Sequence, residues 1–253
     1  MKRAMRDVAL LDRKGRKWLV PVDSGLIKVK GLGTVKTDSL DRVIGRTVMI
    51  GDRAFLVMKA SVRDRVETIR RKAQIIGPKD SPFITFNCSL QAGDLVVEGG
   101  AGSGAMTIVL AHAVYPSGRV VSYELRKDFL KIAKENMERC NLGQIVEFKE
   151  ADICDGIQEE MVDAVVLDIP EPWRALPAAY QALRPSGHLT SFSPTVEQVR
   201  ETVLALRDLG FADIWTTEVL ERRIEVNRGT RPAFDMLGHT GYMTFARKAL
   251  EAL

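Results

Sequence analysis

The sequence predicts an α/β protein: a doubly wound, mostly parallel sheet preceded by a small β module. Three observations predict it. From about residue 73 onward, apolar strand-like runs alternate with helical stretches. One such run passes into Asp94-Leu-Val-Val-Glu98-Gly-Gly-Ala-Gly-Ser-Gly104, which reads as a buried strand, a tight turn and a helix start. Residues 1–60 instead show short strand runs separated by turn residues.

In order along the chain, 18–25 is a short strand running into a turn, and 26–30 alternates. Residues 46–58 read as two strands around Gly51-Asp52, a pair that suits a hairpin turn. Residues 62–72 are charged and helical, with Val66 and Ile69 on one side, and 60–72 link the two parts. The expected domains are therefore 1–60 and 61–253. In the second, strands are expected at 95–98, 119–124, 145–150, 162–169, 188–193, 212–220 and 242–247. Helices are expected at 103–114, 127–139, 173–183 and 195–209, the last capped by Thr195. Ligands of such sheets sit beyond the carboxyl ends of the strands, where the strand order reverses. Glu98, Glu124, Asp152 and Asp168 all fall at such ends.

Composition narrows the classes. A chain of 253 residues can bury a sizeable core. No apolar run reaches membrane-spanning length, and the first residues lack a signal-peptide core, so a cytoplasmic protein is expected. Cys88, Cys140 and Cys154 have no metal-ligand spacing; they read as reduced thiols, and no metal is expected. The net charge of +4 conceals an asymmetry. Residues 1–72 hold 19 Lys and Arg against 8 Asp and Glu, while the remainder holds 18 against 25. The basic front suits a polyanionic partner, or is simply a solvated basic surface.

The glycine loop by itself leaves the cofactor open. Gly100-x-Gly102-x-x-Ala105 fits a relaxed dinucleotide fingerprint, with Glu124 near the expected ribose-binding acid, so a nicotinamide enzyme is one reading. Two acids point the other way. Glu98 stands just before the loop, where a pyrophosphate would bring negative charge, and Asp152 follows the next strand but one. Acids are unfavourable beside diphosphate and favourable beside a sulfonium such as that of S-adenosylmethionine. Structural duties are also open: Glu98 bonding turn amides, Glu124 a solvent-facing strand end, Asp152 a turn cap.

Several motifs occur in order: Arg71-Lys-Ala-Gln-Ile-Ile-Gly-Pro-Lys-Asp80, the glycine loop, Val-Val-Ser-Tyr-Glu124, Leu167-Asp-Ile-Pro-Glu-Pro-Trp173 and Gly238-His-Thr-Gly-Tyr-Met-Thr-Phe-Ala246. The set resembles the TrmI-type tRNA (adenine-N1)-methyltransferases over nearly the whole chain. That resemblance implies a Rossmann-like class I SAM-dependent methyltransferase domain behind a small N-terminal β domain. It implies S-adenosylmethionine as cofactor, tRNA as partner, adenosine 58 of the T-loop as target (in archaea often 57 as well), and a homotetramer. It implies that Glu124 holds the cofactor ribose and Asp152, with Ile153 beside it, the cofactor adenine. Gly100, Gly102, Ser103 and Gly104, with Ala105 and Met106, would wrap the methionine and ribose portions beside Glu98. Gln74 and Ile75 would close over the cofactor, and Asp168 would meet both the cofactor and the target base. One departure stands out. Several relatives carry an aromatic residue or His between Ile-Ile and Pro-Lys-Asp, where this chain has Gly77. Trp173 and Tyr242 are candidates for the missing ring, or else core residues.

Adenine N1 is a lone-pair nucleophile that carries no proton, so its attack needs placement rather than a base. A carboxylate accepting from the exocyclic N6 amine stabilises the cation that forms, and Asp168 is the expected catalytic residue. Arg222, Arg223, Arg228 and Arg231 form a second basic run, RNA-facing or between subunits. His239 is either a core histidine or a group turned to the active site. Two rival readings are a non-catalytic RNA-binding subunit and a methyltransferase acting on a protein or small molecule.

Overall fold

The computed structural model describes residues 7–226 and 229–251. The front module contains β1 (Asp7–Leu11), β2 (Lys17–Pro21), β3 (Leu26–Val29), β4 (Gly33–Lys36), β5 (Thr47–Ile50) and β6 (Arg53–Lys59). Four of these form an antiparallel sheet in the order β2-β1-β6-β5, and β3 pairs with β4 as a separate hairpin. Gly51 and Asp52 make the β5–β6 turn, with Ile50 opposite Arg53. Alternate residues point inward, and Val8, Leu10, Val20, Val35, Phe55 and Val57 form a core of their own.

Helix α1 (Val62–Thr68) joins the module to the main domain. Ser61 and Asp64 form a reciprocal capping box at its start. Its polar side reaches the front sheet through Lys17–Asp64 at 2.6 Å and Arg65–Asp7 at 2.9 Å. Its apolar side places Val66 in the main core. The helix is shorter than the sequence suggested, ending at Thr68 rather than 72. The Asn136 side chain accepts from the Arg70 backbone N–H (3.2 Å) and donates to the Arg70 carbonyl (2.9 Å), so tertiary bonds replace helical ones there. Helix α2 (Ser81–Asn87) was not anticipated.

The main sheet runs β12-β15-β11-β10-β7-β8-β9. Its strands are β7 (Leu95–Gly99), β8 (Arg119–Tyr123), β9 (Val146–Lys149), β10 (Val162–Leu167), β11 (Leu183–Ser193), β12 (Phe211–Thr217) and β15 (Tyr242–Lys248); β13 (Ile224–Val226) and β14 (Thr230–Pro232) form a hairpin outside it. The pairs from β11 through β9 are parallel, while β15 is antiparallel to β11 and β12. Strand β12 stops at Thr217, short of the expected 220. Helices α3 (Ala105–Val114) and α4 (Lys127–Cys140) cover one face, and α5 (Pro172–Ala182) and α6 (Val196–Asp208) the other. The chain leaves β7 toward β8 on one side and returns to β10 on the other. The switch point is therefore the β7–β10 junction, with Gly99 in register with Leu167.

Candidate active site

The glycine loop is built against the end of β10. The Asp168 backbone N–H donates to the Gly99 carbonyl at 2.8 Å, and the N–H groups of Gly100 and Ala101 donate to the Tyr123 carbonyl at 2.9 and 3.2 Å. Gly100 has φ +90°, and a Cβ there would stand 2.2 Å from the Asp168 carbonyl oxygen. Only glycine permits that approach. Gly102, at φ +51°, has open space where a Cβ would point. One glycine thus packs the loop onto β10, and the other leaves open space beside the main chain. Ser103, Ala105 and Met106 are buried at the start of α3.

Four acids surround this loop, each in a different state. Glu98 is 1 % exposed and accepts from the Thr107 hydroxyl (2.6 Å) and the Ser122 hydroxyl on one oxygen. It bonds hydroxyls rather than turn amides. Burial pushes its carboxyl up to about 7, and the charges of Asp168 and Glu124 add to the shift. Glu124 is buried, not solvent-facing: it accepts from the Gly102 N–H at 2.9 Å and from the Arg126 N–H at 3.0 Å. Asp152 caps the short turn at 153–155 by accepting from the Cys154 N–H at 2.9 Å, and the buried Ile153 lies against Gly99.

Asp168 differs from the other three. It is half-buried, and its carboxylate makes no hydrogen bond among the described residues. Desolvation first, and the Glu124 charge second, push it up to about 7. An acid without a partner, repelled by its neighbours, favours a cation or a hydrogen-bond donor entering the cleft. No cluster that could hold a metal ion occurs among the described residues.

Residues 70–75 are stitched to the loop. The Lys72 N–H donates to the Ser103 hydroxyl (3.3 Å), and Asn136 donates to the Ser103 carbonyl (2.8 Å) while bonding Arg70. Beyond that stitch, Gln74 and Ile75 line a cavity of about 440 Å³ together with Gly77, Met236 and Leu237. Gln74 and Ile75 therefore share that cavity with the C-terminal strap.

That strap, residues 218–226 and 229–240, is tied down twice. The Lys79 ammonium bonds Asp80 (2.7 Å), the Val219 carbonyl (2.6 Å) and the Thr240 hydroxyl (2.6 Å), and Asp80 is wholly buried. His239 bridges Glu218 (2.6 Å) and the Pro194 carbonyl (2.8 Å), and those contacts raise its pKa. It is therefore a surface clasp rather than a core histidine. Trp173 packs on the second core, and Tyr242 sits 4.8 Å from His239. Of the second basic run, Arg223 reaches toward Glu221 and Arg231 pairs with Glu225; Arg228 lies outside the described residues. Sequence reasoning missed Thr107, Ser122, Asn136 and the Lys79–Thr240 tie. Asn136 left a signal, as a polar residue on the apolar side of an amphipathic helix.

A family described as the tRNA methyltransferase complex GCD14 subunit matches residues 65–236. The chain belongs to that family. The tRNA (adenine(57)-N(1)/adenine(58)-N(1))-methyltransferase TrmI of Methanocaldococcus jannaschii is 33 % identical over 96 % of this chain and 95 % of its own. Among solved structures, a SAM-dependent O-methyltransferase of Thermotoga maritima superposes with TM-score 0.86 and 32 % identity, covering 99 % of this chain and 96 % of that one. The tRNA (m1A58) methyltransferase TrmI of Aquifex aeolicus follows at TM-score 0.78 and 29 % identity, covering 98 % and 99 %. Membership of the GCD14 family decides between the two cofactor readings, since the nicotinamide alternative has no support among these relatives. The acids around the loop agree: they would oppose a pyrophosphate and accommodate a sulfonium.

Proposed function

We propose that this protein is a tRNA (adenine-N1)-methyltransferase that takes its methyl group from S-adenosylmethionine and places it on N1 of adenosine 58 in the T-loop. Adenosine 57 as a second target is supported by the name of the archaeal relative. The observation that carries the reading is the Asp168 carboxylate, without a hydrogen bond among the described residues and held at the switch point beside the glycine loop.

The site fits the cofactor: an open position at Gly102, and acids whose mutual repulsion a positive charge relieves. S-adenosylmethionine supplies, when bound, an electrophilic methyl on a sulfonium. Glu124 would hold the ribose, Asp152 and Ile153 the adenine, and Gly100, Gly102, Ser103, Gly104, Ala105 and Met106 the remainder. Glu98 would set the charge of the floor, and Gln74 and Ile75 would close the cleft. Asp168 accepts a hydrogen bond from the N6 amine of the target, which orients N1 and stabilises the charge arriving on the ring. The Watson–Crick edge is hidden in paired RNA, so the target base must first leave its stack, at a few kcal/mol. Phosphate contacts by the basic front module would offset that cost.

The same site supports one second reading. A carboxyl near 7 would also serve as a base toward a hydroxyl, the chemistry in the name of the Thermotoga neighbour. Incubating the protein alone with labelled S-adenosylmethionine and tRNA, then mapping the product by mass spectrometry, tests both. Label on N1 of adenosine 58 is expected. No transfer by the isolated protein would favour a non-catalytic subunit, and label on a small-molecule or protein hydroxyl but not on tRNA would favour the second reading.

We further propose a homotetramer, supported by the apolar groups that the strap exposes at Leu220, Ile224, Val226 and Phe234. A cytoplasmic location suits a tRNA substrate and three free cysteines. No helix among the described residues is long and apolar enough to cross a membrane.

A further inference from the structure

A second cavity, of about 610 Å³, lies on the front module, between the β1–β2 pair, the β3–β4 hairpin, α1 and the end of α4. Its floor is apolar and half-buried: Leu19, Pro21, Ile27 and Val29. Its rim is cationic. Lys28 and Lys30 alternate on the outer face of β3 and its turn, and neither side chain has an ion pair or hydrogen bond among the described residues. Arg139 comes from the last turn of α4 and makes no ion pair or hydrogen bond among the described residues, although it feels the Asp7 charge. The acids of the cavity are already engaged: Asp7 by Arg65 at 2.9 Å, and Glu67 by Arg63 at 2.7 Å and Lys17 at 3.3 Å. Residues 1–60 hold 14 Lys and Arg against 6 Asp and Glu. An apolar slot edged by three cations that make no ion pair among the described residues matches the shape and charge of a nucleotide: a flat base with phosphates beside it. The Trp18 ring is not the platform, because Arg16 and Arg53 stand over it at 5.5 and 5.4 Å.

We propose that this cleft holds one unstacked nucleotide of the tRNA substrate, its base on Ile27 and Val29 and its phosphates against Lys28, Lys30 and Arg139. The proposal rests on tRNA being the substrate. Because Arg139 belongs to the catalytic domain and Lys28 and Lys30 to the front module, the contact gives the RNA a second anchor at a fixed distance from Asp168. The anchor aligns the T-loop without touching the reacting atoms.

The test is tRNA binding against salt, with steady-state kinetics, for the intact protein and for Lys28→Gln/Lys30→Gln. Both side chains are exposed, so the fold is expected to persist. The double variant should lower the slope of log affinity against log salt by about two, one for each lost phosphate contact. The KM for tRNA should rise about tenfold at moderate salt, with kcat and S-adenosylmethionine affinity unchanged. A photoreactive Ile27→benzoylphenylalanine variant should crosslink to one unpaired nucleotide. An unchanged slope and KM, with the wild type binding tRNA, overturns the cleft assignment. So does a variant whose only change is its sedimentation, which would make the cleft a contact between copies. A wild type that does not bind tRNA overturns the substrate reading itself, and that result is visible before any variant is made.

Discussion

Glu98 lies within β7 and Asp168 just past the end of the adjacent β10, yet the structure gives them opposite circumstances. Glu98 is enclosed by two hydroxyls, and Asp168 is left open. Asp168→Ala should therefore keep cofactor affinity within a few-fold and lower turnover about 10²–10³-fold, as loss of a preorganised partner does; equilibrium binding beside single-turnover rates checks this. The carboxylate form is the working one, so in the absence of bound cofactor the fraction competent to accept a hydrogen bond rises as pH passes through about 7. A bound sulfonium should move that midpoint down. Stability runs the other way. Glu98 has an ordinary value of 4.5 and a folded value of about 7, so its contribution is complete below about pH 4.5 and is lost as pH rises through 7. Melting without cofactor should be lower at pH 8 than at pH 5.5, and Glu98→Gln should reduce the difference, the raised Asp168 carboxyl supplying the rest; an unchanged slope would sink the burial argument. Sequence placed both acids at strand ends, but their different partners depend on Thr107 and Ser122, which come from other elements.

At the scale of the elements, the glycine loop separates two duties. Gly100→Ala places a methyl 2.2 Å from a backbone oxygen and cannot be absorbed by a side-chain shift. Gly102→Ala has free space and costs about 1–2 kcal/mol for its left-handed backbone. The first variant should therefore show a large loss of melting temperature, and the second a modest one with weakened cofactor binding; calorimetry and equilibrium dialysis distinguish them. The repeating motif was legible as a turn, but it did not say which glycine serves the fold and which the ligand. The helices with a strong apolar period were placed closely, as α4 and α6 show. The misjudged ends have tertiary causes. Helix α1 stops because Asn136 takes the Arg70 backbone groups. Helix α2 spans 7 residues, two turns with too little period to register, although Pro82 in its first turn marked the start.

Across the molecule, one ammonium connects parts 140 and 161 residues apart in sequence. Lys79→Met would leave the carboxylate of Asp80, which has no exposure, with only the Thr240 hydroxyl among the described residues. Breaking a buried pair from one side costs about 3–5 kcal/mol, so a clear fall in melting temperature is expected. The strap that forms the far wall of the Gln74–Gly77 cavity would also loosen, raising the KM for tRNA more than that for the cofactor. Equal changes in both would show that the tie serves stability alone.

The chain by itself determined the alternation of strands and helices, the glycine turn, the acids at the strand ends and the basic front. These follow from local apolar period, turn chemistry and charge, which act over a few residues. Only the tertiary structure decided which acid is left without a hydrogen bond among the described residues, which glycine packs and which stays open, and where the strap is tied. Those outcomes depend on burial and on donors brought from distant parts of the chain, and neither exists until the sheet is assembled.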